Sequence, residues 1–152
     1  FSPSENNKDF SMGIKTSYNS KNITFRVSGL YVGDNYRSDL GYIKRTGILK
    51  INPDIGYTFW PENKKLQSHK IEITPVIIWR PELNYQLSDY FIISRWDGQF
   101  NNGDNFNIAM RNQYTYLYND FDPTRTENSV PLPANSEYHY SNIEHHYNSK
   151  MG

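Results

Sequence analysis

The chain has 152 residues, 16 basic and 16 acidic side chains and no cysteine; only 36% of it is hydrophobic, yet 16% is aromatic. Balanced charge without a basic stripe excludes a nucleic-acid footprint. The missing cysteines exclude a disulfide framework, a thiolate nucleophile and a cysteine-ligated metal, and the aromatics exclude simple disorder despite a mean hydropathy of -0.81.

The length suits one domain, 1–152. Alanine occurs only at Ala109 and Ala134, whereas Tyr, Ile, Thr and Phe are plentiful, which favours strands. The longest apolar runs, "VIIW" and "FII", are far short of the roughly 20 residues of a spanning helix. The opening "FSPSENNKDF" does not resemble a signal peptide, so a mature or excised piece, or a chain without one, is expected.

Period-two alternation then recurs along the chain. The first strand, "FSMGIKTSY", aligns Phe10, Met12, Ile14, Thr16 and Tyr18; the second, "ITFRVSGLY", aligns Ile23, Phe25, Val27, Gly29 and Tyr31. In the third, "INPDIGYTF", Ile51, Pro53, Ile55, Tyr57 and Phe59 share a face before Trp60-Pro61. The fourth, "HKIEITPVIIWR" (69–80), groups Ile71, Ile73, Pro75, Ile77 and Trp79. A less regular fifth spans 85–96, and a sixth aligns Phe106, Ile108, Met110, Tyr114, Tyr116 and Tyr118. A seventh, weaker in alternation, occupies "SEYHYSNIEHHY". About seven strands with turn residues between them predict an all-β antiparallel meander. Mid-strand Pro53 and Pro75 argue for edges or bulges at those points.

The connections "NSKN" and "PENKK" are short; "GDNYRSDLG" and "NDFDPTRTENSVPLPANSE" are long and turn-rich. Alternating short and long connections are the pattern of an outer-membrane barrel, from which "DGQFNNGDN" (97–105) departs as a long loop on the short side. One apolar and one polar face fit two settings. In a soluble sandwich the apolar faces pack together; in a barrel they meet lipid while Asn, Gln, Thr, Ser and Arg line the lumen. Aromatics at strand ends (Tyr57, Phe59 and Trp60; Trp79; Tyr116 and Tyr118) match membrane-interface belts.

Residues 29–61, "GLYVGDNYRSDLGYIKRTGILKINPDIGYTFWP", carry a resemblance. A "GDN" plus aromatic, an acidic residue, "GYI.R", "TG" and a strand closing on "Y.F.P" resemble a Bacteroidota outer-membrane β-barrel family, the domain of unknown function 5916. "LYNDFDPTR" through "PLPANSEYHY" is similar to a later part of it, with Asn135 where a glycine is expected; Asn also accepts positive φ. The resemblance spans about residues 8–148 and implies a middle portion of a larger barrel. In that family a carbohydrate-binding module of the family-9 type precedes the barrel. The implied location is the bacterial outer membrane.

Candidate sites divide by chemistry. Arg45, Arg95 and Arg111 lie in or beside strands where a lumen would pair them with Asp54, Glu72 or Asp89, a ladder that plugs or tunes a pore; solvated charge is the bland alternative. Trp79 and Trp96 offer stacking surfaces for sugars, or plain packing. His139, His145 and His146 cannot chelate locally: 139 and 145 lie about 20 Å apart on a strand, and 146 faces away. Asp34 with Asp39, Asp97 with Asp104 and Asp120 with Asp122 read first as turn caps, ahead of calcium ligands or catalytic pairs. "NIT" at 22–24 is a weak glycosylation match. No catalytic, metal or cofactor site is expected, so the reading is a non-enzyme. Its expected role is binding or passage of a ligand, with lipid or detergent, an oligosaccharide and other outer-membrane proteins as candidate partners. The alternatives are a soluble periplasmic or secreted β-sandwich that binds carbohydrate, and a structural partner in a membrane assembly.

Overall fold

A computed structural model describes residues 10–37, 45–62, 65–124, 126 and 129–150; of the sequence features above, Asp39 and much of "RSDLGYIK" lie outside these. The described residues form seven strands: β1 (Ser11–Asn19), β2 (Ile23–Val32), β3 (Ile48–Phe59), β4 (Leu66–Arg80), β5 (Gln86–Phe100), β6 (Asn105–Leu117) and β7 (Ser136–Asn148). They make one antiparallel sheet in sequence order, an up-and-down meander. The sheet is not closed: β1 and β7 are its two edges. No second sheet covers either face among the described residues, so the opposing layer that a sandwich requires is not in evidence there.

Register converts the alternation into two surfaces. Ile14↔Gly29, Gly29↔Ile51 and Ile51↔Ile77 continue one cross-strand row, and Phe25↔Ile55 and Ile55↔Ile73 another. Residues paired directly across antiparallel strands share a face, so the aliphatic and aromatic side chains of these rows collect on one side. The intervening residues occupy the other: Arg26, Asp54, Glu72, Arg95, Ala109 and Glu144, and toward the rim of the 33–47 connection also the apolar Leu30, Val32, Ile48, Val76, Ile78, Phe91 and Ile93.

The structure differs from the sequence reading at three places. Asp97–Phe100 continue β5, and the connection is only 101–104; this removes the apparent long loop on the short side. The Gly-Asn composition misleads because Gly98 does a packing job: a Cβ there would lie 2.5 Å from the Trp96 ring, so glycine lets the indole cross the strand. The strand β4 also begins earlier, at Leu66. The ends of β1, β3 and β5 and the starts of β2, β4 and β6 now share one rim, and the ends of β2, β4 and β6 and the starts of β3, β5 and β7 the other.

The prolines are the third difference. Pro53 and Pro75 sit in interior strands, neither at an edge. Register on both sides (Ile51↔Ile77 and Ile55↔Ile73) places them opposite each other, and the ladder is interrupted only there. Each keeps its pairing on its other flank, Pro53 with Val27 and Pro75 with Ile92. Two residues that lack N–H thus share one gap, which orphans their two carbonyls. The Asn52 Nδ2 fills it, donating to Pro75 O at 3.1 Å and, more weakly, to Pro53 O at 3.5 Å. A side-chain amide replaces the missing backbone donors.

Turn chemistry is local. Asn135 adopts φ +55, the left-handed conformation that asparagine tolerates. Gly47 has φ +64, and a Cβ there would collide with the Asp34 carboxylate at 1.8 Å, so backbone and space both demand glycine.

Candidate functional site

On the polar face, charges pair across strands from β2 to β7. The Arg26 Nε donates to Asp54 Oδ2 at 2.8 Å, and Thr74 Oγ1 donates to Asp54 Oδ1 at 3.1 Å. Glu72 takes Lys70 on Oε2 and Arg95 on Oε1, the latter at 3.4 Å. Lys70 lies across Gly56; a Cβ at 56 would stand 2.6 Å from its Cε, so the glycine seats the lysine beside Glu72. Farther along, Asn107 Nδ2 donates to Asp97, and Arg111 pairs with Glu144. Near the rim of longer connections Arg45 pairs with Asp89, which also accepts from Ser88 Oγ at 2.6 Å. Two half-open hollows of about 430 and 390 Å³ lie along the ladder. They share Asp97, Asn105 and Asn107; the first reaches Lys70 and the second Arg95, Arg111, Glu144 and His146.

The other face is aliphatic in the middle and aromatic at both ends. At the rim of short connections, Tyr57 meets Phe59 with centroids 4.6 Å apart, Phe59 stacks on His69 at 4.6 Å, and Trp96 stands between His69 (6.2 Å) and Phe106 (6.0 Å). The Trp96 Nε1 donates to His69 Nδ1 at 3.3 Å. Trp60 Nε1 donates to Lys21 O at 3.3 Å, and the Lys21 ammonium lies 5.5 Å above its ring. Toward the opposite rim Phe10 meets Tyr31 (5.1 Å), Tyr90 stacks on Tyr114 (5.4 Å), Tyr114 meets His139 (4.9 Å), and Tyr116 meets Tyr118 edge-on (4.7 Å). The Arg80 guanidinium lies 5.6 Å from the Tyr118 ring. Between these girdles lies an apolar hollow of about 530 Å³, lined chiefly by Ile23, Ile55, Tyr57, Phe59, Ile71, Ile73 and Pro75.

Exposure inverts the usual order. Glu72 is 9% exposed and its neighbour Ile73 47%. Ala109 is 3% exposed on the polar face, whereas Ile108 and Met110 beside it are exposed on the other. The charged side is thus the more enclosed one. Ile55, Ile73 and Ile108 meet no opposing layer among the described residues.

The predicted residues therefore sort onto different surfaces. Arg45, Arg95 and Arg111 join the polar ladder, with Asp89, Glu72 and Glu144 as partners. Glu144 lies outside the expected set of Asp54, Glu72 and Asp89, and Asp54 is taken by Arg26. Trp96, paired with Ile71, lies on the apolar side at the rim of short connections, and Trp79, paired with Leu49, lies on the same side at the other. The structure does not unite the tryptophans and the arginines in one pocket. Tyr57, Phe59 and Trp60 fall at one rim and Tyr116 and Tyr118 at the other.

The remaining candidates take local roles. Asp122 Oδ1 accepts from Thr124 N at 2.8 Å and caps a turn, whereas Asp120 Oδ1 accepts from Ala134 N at 2.7 Å, 14 residues on, and ties the two ends of its connection together. Asp104 accepts from Asn102, from the Tyr147 hydroxyl at 2.8 Å and from the Lys150 amide at 2.9 Å. The Tyr147 hydroxyl foremost, then the Lys150 amide, hold its carboxyl below the usual value. Burial pushes the Tyr118 phenol up, against the opposing pull of Arg80. Asn22 Nδ2 is engaged with Thr58 O at 2.8 Å, the reason "NIT" reads as structure. Among the described residues no group of three or more His, Asp or Glu is placed to hold a metal ion.

Sequence reasoning missed Arg26, Lys70, Glu144, His69 and Asn52. Parity alone puts Arg26, Lys70 and Glu144 on the polar phase; the role of Asn52 needs the cross-strand register. Among the described residues no helix is long and apolar enough to cross a membrane, which leaves crossing by strands a separate matter. Searches of protein-family models, curated proteins and solved structures find no match to this chain.

Proposed function

We propose that this sheet is a wall segment of an outer-membrane-type β-barrel, with its aliphatic face in hydrocarbon and its ion-paired face toward an aqueous interior. Its role is non-catalytic: binding or passage of a solute along the Arg–carboxylate ladder. One observation carries the reading. An exposed aliphatic band lies between two aromatic girdles, while the carboxylates Glu72, Asp54 and Asp89 are largely enclosed on the reverse side.

The dimensions agree. Ten residues separate His69 from Trp79 in β4. That is about 33 Å along the strand, or about 25 Å along the membrane normal at a tilt of roughly 35–45°, the height of the apolar band in such barrels. In water the same band would be a liability, because contiguous apolar surface of this kind marks an interaction face.

Lipids brominated at mid-chain test this. In vesicles, a tryptophan introduced by Ile73→Trp should be quenched by the bromines, and one introduced by Thr74→Trp should not. A monodisperse monomer in detergent-free buffer, with the introduced tryptophan at 73 open to aqueous acrylamide, would refute the reading.

A further inference from the structure

We infer that β7 is a strand-addition site whose occupant is an extended segment running antiparallel to it, with a basic residue opposite Glu144. The inference rests on the edge and not on which solvent meets the apolar face.

Topology comes first. In an antiparallel meander β1 and β7, separated by five strands, run in the same direction. They cannot pair with each other in antiparallel fashion, so closure of this sheet requires an odd number of additional strands between them. Each edge therefore needs a partner that the described strands do not supply.

The two edges are not equivalent. β1 carries the common devices that blunt an edge: it is short, with Lys15 at its centre and Gly13 beside it. β7 carries none. It has 13 residues, no lysine and no proline, and its pairing with β6 runs from Asn105↔Asn148 to Leu117↔Ser136 without a bulge. Among the described residues no strand pairs with its outer row of backbone donors and acceptors, the arrangement that β-augmentation uses.

Charge fixes the occupant's register. The row Gly56–Glu72–Arg95–Ala109–Glu144 crosses the polar face and ends in a carboxylate at the edge. Arg111 and Asn142 both contact Glu144 through Oε1. The side chain of Glu144 is 41% exposed, far more than that of Glu72 at 11%, which has a cation on each oxygen. A Lys or Arg on the next strand opposite Glu144 gives the edge carboxylate the double pairing that Glu72 already has. On the alternate positions the occupant presents apolar side chains beside Ile143 and Tyr147, which continue the greasy side.

The test uses the full chain and three fluorescein-labelled 11-residue peptides of alternating Val and Thr. One carries a central Lys on the Thr face, one a central Glu there, and one the Lys moved to the Val face. Anisotropy reads binding, and amide exchange along β7 reads its location, in detergent and in detergent-free buffer alike. The Lys-on-Thr-face peptide should protect β7 amides and bind about fivefold tighter than either other peptide, the scale of one exposed ion pair.

Because Glu144→Lys alone would face Arg111, the charge swap is made as Glu144→Lys with Arg111→Glu, which keeps the internal pair. It should reverse the preference toward the Glu peptide. Absence of binding by every peptide, a preference that the swap leaves unchanged, or concentration-dependent protection of β7 by a second copy of the chain overturns the inference. Binding with reversal stands even if the vesicle quenching experiment fails, so the two readings fall separately.

Discussion

Glu72 and Ile73 are neighbours in β4, and the isoleucine is by far the more exposed of the two. The same contrast separates Ala109 from Ile108 and Met110 in β6. In a soluble sheet the difference runs the other way, since each aliphatic side chain removed from water stabilises by about 1.5–3 kcal/mol. The comparison teaches that sheet amphipathicity has no intrinsic inside. Period-two patterning defines two faces, and only their relative enclosure says which one shuns the surrounding medium.

The sharpest way to break this comparison is to place one charge on each face. Ile73→Lys should cost about 2–4 kcal/mol in lipid, the scale for a lysine near the middle of a barrel's outer surface. Thr74→Lys puts its ammonium beside Asp54 on the enclosed face and should cost less than 1 kcal/mol, the range of an ordinary ion-pair adjustment. Urea unfolding from vesicles measures both. Equal costs would mean that both faces meet the same medium.

A second, smaller effect isolates what the polar face does for the backbone. Asn52→Ala leaves the carbonyls of Pro53 and Pro75 without their side-chain donor and should destabilise by about 1–3 kcal/mol. The same substitution at Asn107 removes only a side-chain bond to Asp97 and should cost less. Equal losses at the two sites would show that the gap in the ladder is satisfied by some other group.

The smallest effect lies outside both faces, in the 101–104 turn. Asp104 has its folded pKa lowered from 3.8, first by the Tyr147 hydroxyl and then by the Lys150 amide. A depressed value means that its contribution is complete above the unfolded pKa and is lost as pH falls through the folded one. Protection of the Lys150 amide against exchange, corrected for intrinsic rate, should therefore stay level from neutrality down to about pH 4 and fall below it. Asp104→Asn should remove that acid limb. A change centred near pH 6 would assign the clamp to a histidine instead.

Much of this arrangement is legible in the sequence, and the exceptions have physical reasons. The seven strands and their phases follow from alternation, so Ile55, Ile73 and Ile108 fall together without coordinates. Ion pairs within that phase are half legible: the arginines and the set Asp54, Glu72 and Asp89 are expected to pair, and Arg95 and Arg45 do take partners from that set, but who pairs with whom depends on register and Arg111 finds Glu144 outside it. The end of β5 is hidden because "DGQFNNGDN" has the composition of a loop, while Trp96 needs a glycine beside it to lie flat. The prolines are hidden for a deeper reason. Each, taken alone, argues against an interior strand; only their mutual position makes both tolerable.

That mutual position has a further effect on how the sheet assembles. Held as observed, the two imino acids open a single hole that one asparagine can stop. A slip of two residues between β3 and β4 would keep every side chain on its proper side, so patterning alone does not forbid it. It would, however, part the prolines, split one hole into two and carry them beyond the span of a single amide. The pair thus works as an alignment pin, penalising the one kind of misthreading to which a regular alternating ribbon is blind.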